Sequence, residues 1–129
     1  MLKEFQHTLI ENLGIQITSG SSEKVEAEMP VDERTCRPGG ILHGGASLAL
    51  AETMAGYGST LICNGDEIAV GIQVSGNHIS QAYLGEIIYG KACIVHLGKS
   101  THIWNVDLFS NDGKLISTVR VTNSILKKR

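Results

Sequence analysis

Glu52 asks for an explanation before any other residue. It is the only formally charged side chain between residues 38 and 65. An ionised carboxylate in an apolar segment is costly to desolvate unless something polar or catalytic accompanies it. On a helix of about 3.6 residues per turn, Gly45, Leu48, Ala49, Ala55, Gly56 and Ser59 share its face. Leu50, Met54 and Leu61 lie opposite. Small neighbours leave room for a substrate or a second chain, so Glu52 reads as a catalytic carboxylate. A carboxylate pairing structurally across a subunit interface is the alternative that the same pattern allows.

His43, Gly44 and Gly45 stand where that helix should begin. The two glycine amides are expected to be free N–H groups reinforced by the positive end of the helix dipole. Such donors bind a carbonyl oxygen as negative charge develops on it. Two glycines that merely permit a tight turn into the helix are the plainer alternative. His43 and Glu52 are nine residues apart, about half a turn out of phase and roughly 13 Å apart along the axis. If they serve one site, two subunits must supply them, and a homodimer is the smallest active unit.

Other chemistries find little support. Gly45, Ala46 and Ser47 imitate a nucleophile elbow, but the chain is short for that fold and Ala49 stands where the elbow wants glycine. The five histidines show no H-x-x-x-H spacing and no companion cysteines, so no metal is expected. Cys36, Cys63 and Cys93 are odd in number and far apart, which suggests reduced thiols. Eleven basic and thirteen acidic side chains give a net charge of -2 without a clustered basic excess, which argues against nucleic acid. The start lacks the order of a signal peptide, and polar residues and glycines interrupt the one long apolar segment. A cytoplasmic chain with no membrane span is expected.

The elements that must position these residues follow from periodicity. Apolar residues at helical spacing predict a short helix over residues 2–13, with Gly14 as its C-cap. Val25, Ala27 and Met29 alternate with Glu26 and Glu28 as in a half-buried strand ended by Pro30, which residues 15–18 can pair with. Residues 43–62 predict a long buried helix. Segments 67–75, 86–97, 101–109 and 114–125 predict strands, with a hairpin turn at Asn111, Asp112 and Gly113. Helix, two strands, long helix and four strands make one α+β domain over residues 1–129, its antiparallel sheet curved around the central helix.

The run PGGILHGGASLALAE at residues 38–52 resembles the H-G-G-x6-E signature of hotdog-fold thioesterases acting on aromatic acyl-CoA or acyl-carrier-protein thioesters. Segments at Met29 to Asp32, Arg34 and Thr35, Gly76 to His78 and His96 to Gly98 extend the likeness. They resemble the 1,4-dihydroxy-2-naphthoyl-CoA thioesterases of menaquinone synthesis and their enterobactin-pathway proofreading relatives. The resemblance implies a hotdog domain in a homotetramer built as a dimer of dimers, with no cofactor. It implies that Glu52 is nucleophile or general base, that His43 lies beside the thioester, and that Gly44, next to Gly45, polarises the carbonyl. It further implies nucleotide contacts near His78 and around Gly98, Lys99 and Ser100. Two positions depart from the pattern. Arg37 replaces a glutamine before Pro38, and Gly56 replaces a serine four residues after the carboxylate. Arg37 can still donate to the thioester oxygen, whereas without the serine hydroxyl at position 56 water is expected to be held less well. A non-catalytic acyl-CoA-binding module and a hotdog dehydratase are the competing functions.

Overall fold

The computed structural model describes residues 3–129. Strands β1 (Gln16–Gly20), β2 (Lys24–Pro30), β5 (Glu67–His78), β6 (Ile87–Leu97), β7 (Thr101–Phe109) and β8 (Leu115–Lys127) form one antiparallel sheet. Their spatial order is β1-β2-β6-β7-β8-β5. A short ribbon, β3 (Cys36–Arg37) and β4 (Ile41–Leu42), precedes the central helix α2 (Gly44–Ile62). The curved sheet wraps α2, and this is the hotdog fold that the residue pattern predicts.

Alternation explains why each strand lies as it does. In β2, Val25, Ala27 and Met29 are buried while Lys24 and Glu26 are exposed. In β7, His102, Trp104, Val106 and Leu108 point inward. Leu50, Ala51, Met54 and Ala55 of α2 complete the core against them. Removing such apolar surface from water, at about 25 cal/mol per Å², is the main stabilising term. Gly58 allows the closest approach, because a Cβ there would overlap the Trp104 ring.

Three expectations change. The helix over residues 2–13 is instead a 3-10 turn at Lys3–Phe5 and a short α1 at Leu9–Asn12; residue 2 lies outside the described residues. His7 takes a positive φ of 62°, and the Thr8 hydroxyl donates to Phe5 O, so local polar bonding interrupts the helix. Gly14, at φ 74°, does follow α1 in the left-handed conformation expected of a helix end. On α2, Ala55 and Ser59 are buried rather than open, and Leu61 is exposed. The sheet curls over the Glu52 flank of the helix, which period alone cannot foresee. The β3–β4 ribbon, too short to show alternation, is unanticipated.

Candidate active site

The ribbon delivers the start of α2. Thr35 is buried and its hydroxyl donates to Pro30 O, while His43 N–H donates to Thr35 O at 2.8 Å. His43 is the N-cap of α2: its Nδ1 accepts from Gly45 N at 2.8 Å. The neutral ring therefore carries its proton on Nε2 and offers an N–H donor outward. Only one of the two glycine amides is left free, a correction to the expectation of two. The Gly44 N–H donates to nothing among the described residues, and it sits at the positive end of a 19-residue helix.

His78 stands against Gly44, and a Cβ on that glycine would lie 2.6 Å from His78 Nε2. The other ring nitrogen, Nδ1, is 2.7 Å from the Oγ of buried Ser117. Arg37, Ser47, His78 and Ser117 join Gly44 around a cleft of about 190 Å³. Arg37 lines the same cleft as Gly44.

Glu52 sits two turns along α2 and is exposed. Its carboxylate lies on the backbone of Gly71 in β5, where a side chain would overlap Oε2. Gly71 pairs with Asn123 of β8 at the edge of a register shift between Gly71 and Gln73. Beneath the carboxylate lies a buried polar cluster of Ser59, His102, Trp104 and Asn123. Burial lowers the His102 pKa below its ordinary 6.5.

Within one chain these two groups stand apart. Gly44 and Glu52 are about 12 Å apart along the helix axis. The inward row of β8 marks both ends: Ser117 holds His78, and Asn123 lies at Glu52. The turn of Gly98, Lys99 and Ser100 is tied to the Glu52 end, where Ile125 N donates to Ser100 O. His78 is at the other end, so one chain does not bring His78 and that turn together. Ser117, Gly71 and Asn123 escaped the sequence reading. Carrying the alternation of Val119 and Val121 outward one step each way would have found Ser117 and Asn123. Trp104 belongs to the core.

A six-stranded curved sheet around one helix defines the hotdog fold, and a carboxylate and a free helix-start amide are groups with which a thioester can be hydrolysed. The comparisons agree: residues 39–117 match the Thioesterase superfamily. The Bacillus subtilis protein ComA2 is 39% identical, over 97% of this chain and 99% of that protein. The 1,4-dihydroxy-2-naphthoyl-CoA hydrolase of Escherichia coli is 36% identical, over 88% of this chain and 83% of that protein. A crystal structure of a Haemophilus influenzae thioesterase superposes with a TM-score of 0.92 at 32% identity, covering 97% of this chain and 87% of that one. The chain belongs to the Thioesterase superfamily and is an acyl-CoA thioester hydrolase. Among the described residues no helix is long and apolar enough to cross a membrane.

Proposed function

We propose that this hydrolase cleaves an aromatic acyl-CoA of the 1,4-dihydroxy-2-naphthoyl type, at a site that two subunits build from the Glu52 half of one chain and the Gly44 half of another. The separation of the two halves along α2 carries this reading. The acyl class is supported by the named substrate of the Escherichia coli relative. On this reading the reaction belongs to menaquinone synthesis, in the cytoplasm and with no cofactor.

The edge strand β5 supports the dimer. It is 12 residues long, pairs among the described residues only with β8, and exposes Ile68, Val70 and Ile72. An open apolar edge of this kind invites a second strand. If β5 pairs antiparallel with itself about a point between Val74 and Ser75, the partner subunit's His78 falls opposite Gly71. The partner's Gly44 then approaches Glu52. Two such dimers back to back would make the homotetramer.

In hydrolysis the thioester oxygen takes up the carbonyl electron pair as carbon is attacked, and the Gly44 N–H with the helix dipole holds that charge. His43 Nε2–H and Arg37 are further donors on the same side. With Glu52 as general base, a water proton passes to the carboxylate as the water oxygen bonds to carbon. The C–S bond then breaks, and the leaving thiolate takes the proton back from Glu52. With Glu52 as nucleophile, its oxygen bonds to the carbonyl carbon and the C–S bond breaks, so that the thiolate departs and a mixed anhydride remains; water then hydrolyses the anhydride to the acid and the free Glu52 carboxylate, and the released proton goes to the thiolate. Gly98, Lys99 and Ser100, on the Glu52 half, and His78, on the other, are candidates for the nucleotide, and Gly45 and Gly56 leave space for the acyl group.

The test is release of free thiol from a panel of aryl and aliphatic acyl-CoA thioesters, natural chain against Glu52→Ala. We expect fastest turnover of an aryl thioester, and a loss on the order of a hundredfold or more in the variant. Equal turnover by both proteins would sink the role of Glu52; preference for aliphatic chains would sink the acyl class.

A further inference from the structure

Asn123 is buried and its side chain is fastened at one end only. Its Nδ2 donates to Ala55 O at 3.2 Å and to Ser59 Oγ at 3.0 Å. Ser59 Oγ also accepts from Trp104 Nε1 at 2.9 Å and lies 2.9 Å from His102 Nδ1. Since two N–H groups occupy the lone pairs of Ser59, its own proton goes to His102 Nδ1. Turning the Asn123 amide over would set its oxygen against Ala55 O, acceptor against acceptor. The network therefore fixes the amide, with Oδ1 pointing away from the helix.

That oxygen is buried and has no hydrogen-bond partner among the described residues. Buried polar atoms are nearly always paired, so an orphan needs a reason. The point above Gly71 supplies one. A Cβ there would overlap Glu52 Oε2 and come within 3.5 Å of Asn123 Oδ1, so both oxygens look onto the same spot. Two acceptors facing one spot call for a donor with two O–H bonds. The next turn of α2 does not provide for this: Gly56 has no polar side chain and opens onto free space.

We propose that Asn123 positions the hydrolytic water, its Oδ1 and the Glu52 carboxylate each accepting one of the two O–H groups. The inference rests on Glu52 being the catalytic carboxylate, and it selects the general-base course. The O–H bond facing Glu52 breaks and its proton passes to the carboxylate. The freed electron pair forms the new C–O bond. The second O–H stays on Asn123 Oδ1 until the acid product departs. As the C–S bond breaks, the thiolate takes the proton from Glu52. No oxidant or further reactant enters.

The experiment compares Asn123→Leu, Asn123→Thr and Glu52→Gln in the full chain, on the acyl-CoA of the panel turned over fastest, with far-ultraviolet dichroism as a check on folding. Leucine matches the size but offers no acceptor; threonine restores an oxygen without the amide donors. We expect Asn123→Leu to lower kcat by about tenfold to a hundredfold with KM within about twofold, a loss of positioning rather than of binding. Asn123→Thr should recover most of kcat. A folded Asn123→Leu protein with natural kcat, or a threonine variant that loses kcat at unchanged KM, would overturn the proposal. The threonine result decides alone if the leucine variant does not fold. Glu52→Gln separates the two claims: if it stays active, the role of Glu52 fails. If it is inactive while both Asn123 variants turn over normally, only the role of Asn123 fails.

Discussion

Gly71 passes directly beneath Glu52, so closely that a methyl group at position 71 would overlap the carboxylate oxygen Oε2. The contact is between the backbone of an edge strand and the end of a flexible side chain. A side chain at 71 would displace the carboxylate without disturbing the core. We therefore expect Gly71→Ala to lower kcat by about tenfold to a hundredfold, the usual cost of misplacing a reacting group by an ångström. Chemical denaturation should show nearly natural stability. A loss of stability with normal turnover would mean that the glycine serves the strand and not the carboxylate.

The split between Glu52 and the helix start leads to a complementation experiment. Glu52→Ala and His43→Ala proteins are each expected to be poorly active. Mixed, unfolded and refolded together, they form heterodimers in which one of two sites has both natural halves. About a quarter of natural activity should return if subunits mix at random. No recovery, with subunit exchange verified by two different affinity tags, would place both residues in single-chain sites.

His43 caps the helix, and in the proposed site it is also a donor. His43→Ala removes the acceptor for Gly45 N–H and should cost about 1 kcal/mol in urea unfolding, typical of a lost N-cap. His43→Asn can still cap and should recover that stability, yet it no longer presents Nε2–H to the thioester. Its turnover should stay depressed. Recovery of both would reduce His43 to a helix cap.

The buried His102 makes stability depend on pH. Its folded pKa lies below the ordinary 6.5, chiefly because burial disfavours the charged ring, so the unfolded chain binds the proton more readily. The contribution is complete above pH 6.5 and is lost as pH falls from there to the folded pKa. Thermal unfolding at pH 7.5 and 5.0 should show a larger drop for the natural chain than for His102→Gln. Equal drops would exclude His102 as the source.

Several elements are legible in the residue pattern because one face of each is buried, and burial imposes a period. Val25, Ala27 and Met29 announce β2, and Thr101–Phe109 is bounded as the alternation predicts. Asn111, Asp112 and Gly113 do form the turn between β7 and β8. The N-terminal segment departs from its expected helix because its period is weak and a hydroxyl at Thr8 competes for the backbone. The surroundings of Ser59 differ from expectation because a helix wheel shows which residues share a side, and not how far the sheet curls around it.

The sequence by itself determined the central helix, the lone carboxylate in it and the glycines that open it. Hydrophobic period acts locally, residue by residue, and leaves a trace in the chain; Glu52 stands out as the one charge in that apolar run, although the structure leaves it exposed. Only the tertiary structure decided that His43 consumes the Gly45 amide, that His78 closes on Gly44, and that Gly71 and Asn123 meet at Glu52. The last two join residues that the chain keeps far apart, through a register of strands that pairing alone sets. A polar residue at the end of a core-facing row looks the same in sequence whether it is solvated or aimed at a carboxylate.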